Sequence, residues 1–249
     1  MIRKILLYFA LKYQGDYYKI YEAISKKENV EKEKLVNIEK QIKANYLTII
    51  DNNYPACFKN IPNPPFVIFY YGDINLINMN NNIGIIGKRK NTDYGKKMTF
   101  KLISELNHSS CIVSGLAKGI DALSHQYALE FNLKTIAVLG SGIDYCYPKE
   151  NMLLYKKIKE KGLIISEYPN QHLPYKKNFL IRNRLIAALV KDLIVIEADL
   201  KSGTMNTVSY GLEYGKEIYC VPERANINSG CNYLIKQGAH LLESIKDIF

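Results

Sequence analysis

The sequence predicts an α/β protein: an extended Rossmann-like, doubly wound and mostly parallel sheet, preceded by a small all-helical N-terminal domain. Three observations predict it. Short β-branched runs alternate with amphipathic stretches from Asn82 onward, the pattern of a parallel sheet covered on both faces. Residues 1 to about 45 carry helical spacing. Between the two, Pro55, Pro62, Pro64 and Pro65 break any helix and mark a connection. The boundaries fall at 1–50 for a helical unit of SAM or helix-hairpin type, 51–80 for a linker and leading strand, and 81–249 for the Rossmann-like domain.

In the N-terminal unit, Ile5, Leu6, Phe9, Ala10 and Tyr13 define one apolar helical face, and Tyr17, Ile20, Tyr21 and Ile24 a second. A charge run from Lys26 to Lys34 leads into a further helix through Leu35, Ile38 and Ile42. The β-rich run Phe66-Val67-Ile68-Phe69-Tyr70-Tyr71 reads as a strand that joins the next domain. Buried strands follow at 83–86, 112–114, 135–139, 163–166, 193–196 and 218–221. Helices are expected at 94–106, 120–129, 151–158, 184–190 and 205–214.

A chain of 249 residues can bury a full core. Its net charge of +10 favours polyanionic partners, nucleic acid foremost. Part of that charge is composition, because lysine is abundant together with asparagine, isoleucine and tyrosine, as in an A+T-rich genome. Five cysteines, an odd number with no CxxC pair, suggest neither a disulfide framework nor a zinc site and fit a reducing cytoplasm. The apolar start of the chain is broken by Lys12 and Gln14, and no run approaches about 18 uncharged apolar residues. No membrane role is expected.

In a doubly wound sheet, ligands sit outside the carboxyl ends of the strands. The residues there are Gly87-Lys88-Arg89-Lys90, the stretch from Ser114 and Gly115 through Lys118 to Asp121, Gly140-Ser141-Gly142, Ser166-Glu167-Tyr168-Pro169, and the stretch from Glu197 through Lys201, Ser202, Gly203 and Thr204. Glycines at such turns bring the backbone close to a bound group and open N–H donors at helix N-termini, where anions are favoured. With Arg89, Lys118, Lys176, Arg182, Arg184 and Lys201 on the same rim, the rim is expected to bind phosphates. A dinucleotide is disfavoured, since Gly84 lies inside its strand and cations occupy the turn where G-x-G-x-x-G would place glycines.

The stretch from Lys176 to Arg184 sets Lys176, Arg182 and Arg184 around Phe179. Cations beside an aromatic face suit a single nucleic-acid strand, whose phosphates pair with the cations while an unpaired base stacks on the ring. The plainer reading is a helix N-terminus with solvated basic residues.

The ordered series Ile85-Ile86-Gly87-Lys88-Arg89, Ser114-Gly115-Leu116-Ala117-Lys118-Gly119-Ile120-Asp121, Gly140-Ser141-Gly142, Tyr147-Pro148, Phe179 to Arg184, Ser202-Gly203-Thr204 and Val221-Pro222 resembles the DNA-processing protein A family, DprA or Smf. The resemblance continues through Gly230-Cys231-Asn232 to Gly238-Ala239 and spans the second domain. It implies a homodimeric protein that binds single-stranded DNA without sequence preference, protects it and loads the RecA recombinase during natural transformation. By position, it implies Arg89 as a phosphate clamp, Lys176 beside the strand and Phe179 as the stacking surface. Arg182 and Arg184 then add phosphate contacts or fix the pocket wall. Ser114, Gly115, Ser202 and Gly203 are donors, with Gly87, Lys88, Lys118, Asn183 and Lys201 completing the pocket. Asp121 is expected to cap or brace its own helix.

The sequence departs from the family in places. Leu180-Ile181 replaces a Pro-Arg pair, Lys118 stands for an arginine and so loses the bidentate fork, and Glu223 follows Val221-Pro222 in place of glycine. The chain stops at Phe249, so a C-terminal winged helix is not expected. The enzymatic rival is a nucleotide-binding phosphoribohydrolase of the LOG type, whose P-G-G-x-G-T-x-x-E motif puts Thr207 here where its glutamate belongs. Without that carboxylate no enzyme activity is expected, and no metal or cofactor either. His125, four residues after Asp121, is expected to make a local contact with it.

Overall fold

The computed structural model describes residues 1–248. The N-terminal unit contains α1 (Ile2–Lys12), α2 (Tyr17–Ser25) and α3 (Lys32–Val36), followed by a 3-10 turn at Ile38–Gln41. Asp16 ends the link before α2 and caps it, its side chain accepting from the Lys19 N–H. The helical unit stops short of residue 50: Asn45–Thr48 forms an edge strand, β1, antiparallel to β2 (Val67–Gly72). The proline-rich connection is also not wholly extended, because Pro55 with φ −60° starts a single helical turn, α4 (Ala56–Lys59). β2 then pairs antiparallel with β6 (Leu163–Ser166) and so joins the main sheet.

The remaining strands are β3 (Asn82–Ile86), β4 (Cys111–Ser114), β5 (Lys134–Val138), β7 (Asp192–Val195), β8 (Glu217–Cys220) and β9 (His240–Leu241). Between them run α5 (Asp93–Ser104), α6 (Ile120–Glu130), α7 (Met152–Lys161), α8 (Lys176–Leu189), α9 (Gly203–Glu213) and α10 (Gly230–Lys236). The nine-stranded order is β1-β2-β6-β5-β4-β3-β7-β8-β9. β3 to β6 step outward in one direction, and the chain then returns across the sheet to place β7 on the other side of β3. All pairs from β6 to β9 are parallel. The strand order reverses between β3 and β7, and a crevice is expected beyond their carboxyl ends.

α8 makes that return crossing and begins eight residues earlier than its apolar period suggested. The reason is its buried polar residues: Asn178, Arg182, Asn183 and Arg184 face inward and hide the helical period. Its C-terminal half, with Leu185, Ile186, Ala188 and Leu189, packs on Val113, Val138, Ile165 and Val195. On the opposite face, Leu6, Leu7, Phe9 and Ala10 of α1 share a core with Phe69, Ala137, Leu139 and Ile164. The N-terminal helices are therefore built onto the sheet, with their apolar stripe buried against its strands. Among the described residues no helix is long and apolar enough to cross a membrane.

His125 does not contact Asp121. Its ring is fully buried, and Nδ1 lies 2.7 Å from the Thr135 hydroxyl of β5. That hydroxyl donates to the Ile112 carbonyl at 2.9 Å, so it accepts from Nδ1–H, and Nε2 is left without a partner among the described residues. Burial, with Arg182 nearby, pushes the imidazole down to about 3. An unfolded chain takes up a proton near pH 6.5 that the folded chain refuses, so this histidine's contribution is complete above 6.5 and is lost as pH falls toward 3. His125→Gln keeps a donor for Thr135 and cannot titrate. Urea unfolding at pH 7 and pH 4 is expected to show the wild type losing about 3 kcal/mol more than this variant over that interval; equal losses would place the histidine in a hydrated site.

Candidate nucleic-acid interface

The crevice beyond β3 and β7 is a cavity of about 550 Å³. It is lined from β3 by Gly87, Lys88, Arg89 and Lys90, from α8 by Lys176, Phe179, Arg182 and Asn183, and from the start of α9 by Ser202, Gly203 and Thr204. The loop after β4 supplies Ala117, and the first turn of α6 supplies Asp121. Nine of the expected positions thus meet in one place: Gly87, Lys88, Arg89, Lys176, Phe179, Arg182, Asn183, Ser202 and Gly203.

Close backbone approaches build the crevice. A side-chain carbon at Gly119, where φ is +77°, would lie 2.3 Å from the Lys88 carbonyl. The bare glycine lets the Ile120 N–H donate to that carbonyl at 3.1 Å, which ties the β3 turn to the start of α6. At Gly140 an added carbon would fall 2.6 Å from the Phe179 ring. The bare glycine therefore lets the ring pack against the end of β5, half-buried, with the Tyr147 ring 5.5 Å away. The guanidinium carbons of Arg89 and Arg182 each lie 5.9 Å from its centroid, within cation–π range.

The two arginines differ in kind. Arg89 is exposed, with no carboxylate partner among the described residues. Arg182 is 4% exposed, and its Nη1 donates to the Gly115 carbonyl at 2.8 Å and to the Val138 carbonyl. Burial pulls its guanidinium down to about 10, and the nearby Asp121 carboxylate opposes that shift. Asp121 is buried too, with its carboxyl raised above its usual value by burial against the pull of Arg182. It accepts from the N–H groups of Gly115 and Ala117 at 3.2 and 3.4 Å, so it braces the loop before its helix and not the helix itself. Of the two roles expected for Arg182, a phosphate contact or a fixed pocket wall, its burial and its carbonyl partners match the wall, and the plainer reading of a solvated basic residue does not fit this position.

Five expected positions lie elsewhere. Ser114 is fully buried and donates to the Ile85 carbonyl at 2.7 Å, spending its hydroxyl on the sheet. Gly115 lies beneath Arg182, where any side chain would strike the guanidinium. Lys118 is exposed and paired to Glu150 at 2.7 Å. Arg184 points to the other side of α8, buried against Glu167 at 2.7 Å. Lys201 is exposed, outside the cavity lining.

Asp199 is the lining residue that the sequence reading left without a role. It pairs with Lys88 at 3.0 Å and so neutralises one rim cation. Burial works against the charge of Lys88, but the Asp199 hydrogen bond, helped by Glu223 and Glu197, holds its amine above the usual value. The start of α9 faces the same space: Ser202 caps it by accepting from the Met205 N–H, and nothing stands within 4 Å of where a Gly203 side chain would begin. Its first amides are open to an anion. The cleft can thus hold a planar group against Phe179 with anionic groups at Arg89, Lys176 and the α9 terminus.

A family model described as DNA recombination-mediator protein A matches residues 45–249. The chain belongs to that family. Protein Smf of Synechocystis is 38% identical over 231 residues, covering 90% of this chain and 58% of that protein. DNA processing protein DprA of Streptococcus pneumoniae is 37% identical over 203 residues, covering 81% and 72%. The X-ray structure of the S. pneumoniae protein superposes with a TM-score of 0.83 at 34% identity, covering 93% of this chain and 80% of that one. A Helicobacter pylori DNA processing protein A, whose structure was described for its single-stranded DNA binding mode, superposes with a TM-score of 0.73 at 34% identity, covering 82% and 92%. The nine-stranded architecture is the fold of this family.

Because Arg182 holds the cleft wall, its loss is expected to act on stability. Arg182→Ala leaves the Gly115 and Val138 carbonyls without their guanidinium donor and the buried Asp121 without its compensating charge, and should cost about 3 kcal/mol in urea unfolding. Arg89→Ala should leave the midpoint unchanged. Similar midpoints for both variants would return Arg182 to the set of free cations.

Proposed function

We propose that this protein binds single-stranded DNA without sequence preference in the cleft between β3, α8 and α9, protects it, and loads the RecA recombinase on it during natural transformation. The observation that carries the reading is Phe179, held half-buried on Gly140 between two arginines at the wall of a cleft whose rim is basic. A base stacks on a ring of any sequence neighbour, which makes such a platform tolerant of sequence. Duplex bases are already paired and stacked on one another and are not free to stack on the ring. The H. pylori relative, whose structure was described for its single-stranded DNA binding mode, supports the same reading.

In this reading Arg89 and Lys176 take phosphates, and the Ser202 and Gly203 amides donate to one more anionic oxygen. Lys88 contributes once Asp199 releases it. The protein acts as a cytoplasmic homodimer and a binding protein, not an enzyme. Position 207, where the related hydrolases need a glutamate, is a buried threonine that donates to the Gly203 carbonyl at 3.3 Å.

Fluorescence anisotropy with matched single-stranded and duplex oligonucleotides across a salt series tests this. Tight single-strand binding that falls steeply with salt is expected, because neutralised phosphates release counterions. Phe179→Ala should cost about 1–3 kcal/mol, the size of one base stack, and Arg89→Ala or Lys176→Ala should weaken all sequences alike. Equal affinity for both forms, unaffected by these substitutions, would reject the reading. Asp199→Asn should tighten binding by about fivefold, equivalent to ~1 kcal/mol, the upper end for a pair with one exposed partner; unchanged affinity would mean that Lys88 does not meet the strand.

A further inference from the structure

α8 borders a second cleft, on the side away from the first, between the N-terminal helices and the end of β6. It encloses about 560 Å³ and is lined by Tyr17, Tyr18, Tyr168, His172, Tyr175 and Arg184 among others. Spacing along α8 explains why one helix serves two cavities. Lys176, Phe179 and Asn183 line the first, while Lys177, Ile181 and Arg184 line the second. Each set recurs at three- or four-residue intervals and so occupies its own face. The first turn of α8 is a ridge between the clefts, with Lys176 on one slope and Lys177 on the other.

The second cleft offers aromatic surface at its mouth. Tyr175 is 51% exposed and Tyr18 70% exposed. Tyr175 stands edge-on to His172 at 5.6 Å, and His172 stacks on Tyr168 at 5.0 Å. The imidazole is fixed by Gln14 of the N-terminal unit at 3.1 Å and by Asn178 of α8 at 2.9 Å, so both walls are tied to one ring. Behind these rings lies the Arg184–Glu167 ion pair, nine-tenths or more buried on both sides. Arg184 Nη1 and Glu167 Oε1 have no partner among the described residues. Both atoms are buried beneath the cleft surface, so the pair leaves one donor and one acceptor unsatisfied just behind the aromatic lining, and buried polar atoms of this kind call for a partner. A group that is flat and aromatic, and that both donates and accepts, matches this lining. A nucleobase is such a group.

We propose that the second cleft takes unpaired bases of the same single strand that occupies the first, the strand crossing the first turn of α8 with its phosphates at Lys176 and Lys177. The proposal rests on the single-strand reading of the first cleft. Bases beyond the ridge stack on Tyr175 and Tyr18, where the aromatic faces are open, and reach toward the Arg184–Glu167 pair. The N-terminal helices thereby become part of the strand's path.

The test uses the full chain, oligothymidylates of increasing length, and the same strands with 2-aminopurine at successive positions. The variants are Tyr18→Ala with Tyr175→Ala, Lys177→Glu, and Phe179→Ala. The double tyrosine variant is expected to bind a strand of about 6 nucleotides as the wild type does, and to lose roughly tenfold on one of about 15 nucleotides. 2-Aminopurine should be quenched at two separated positions in the wild type and at one in this variant. Lys177→Glu should reproduce the length-dependent loss, which guards against a folding defect from two tyrosine changes. Wild-type affinity for the long strand in both variants, with both quenched positions retained, overturns the proposal. Failure of the underlying reading looks different: the short strand itself would then bind no better than duplex and would not respond to Phe179→Ala.

Discussion

The cleft depends on one buried guanidinium. Arg182 reaches from α8 to the backbone carbonyls at the ends of β4 and β5, beside Asp121 at the start of α6. An arginine withdrawn from water must be surrounded by acceptors to be tolerated, and here they are carbonyls at the carboxyl ends of strands, where the parallel ladder stops. The same residue that satisfies those orphaned groups fixes the height of α8 above the sheet. That height sets Phe179 on Gly140 and aims Lys176 across the crevice.

Charge in the cleft is arranged by how far each cation is committed. Arg182 is bound to backbone, Arg184 to Glu167, Lys118 to Glu150 and Lys88 to Asp199. The first two are buried and fixed; the Lys118 pair is exposed and weak in water, and in the Lys88 pair only Asp199 is exposed, so its carboxylate can give way to a stronger anion. Arg89 and Lys176 start without carboxylate partners among the described residues. A net charge of +10 therefore says less than the local pairing does, since the affinity of a phosphate follows the cations that are free to meet it.

Much of this was legible in the sequence, for identifiable reasons. Six of the seven parallel strands, β3 to β8, were readable because strands buried on both faces are nearly continuous apolar runs, whereas β9 is two exposed residues, His240–Leu241. The loops at their carboxyl ends identified the crevice, because a doubly wound sheet leaves one place for a ligand. β1 was hidden because Asn45–Thr48 is a four-residue edge strand whose partner, β2, lies beyond a proline-rich connection. The start of α8 was hidden because its buried asparagines and arginines carry no apolar period. The role of Ser114 was not readable, and for Arg182 and Arg184 the choice between a phosphate contact and the pocket wall stayed open. A basic or hydroxyl residue beside an aromatic one looks the same in a sequence whether it faces solvent or a neighbouring carbonyl, and only the direction of the side chain separates a phosphate contact from a strut.

If the cleft takes single-stranded DNA as proposed, its rigidity matters, because such a site must accept any base. A pocket that reads no sequence cannot draw on base-specific hydrogen bonds, so its affinity must come from stacking, phosphate pairing and a low cost of ordering. The ring of Phe179 is already ordered by Gly140, Tyr147 and the two arginines, and binding a base there loses little further side-chain freedom. Tyr18 and Tyr175, exposed at the mouth of the second cleft, are less constrained and would lose more. Stacking at Phe179 should therefore contribute more per base than stacking beyond the α8 ridge, and a strand that fills the first cleft engages the second with most of its translational freedom already lost.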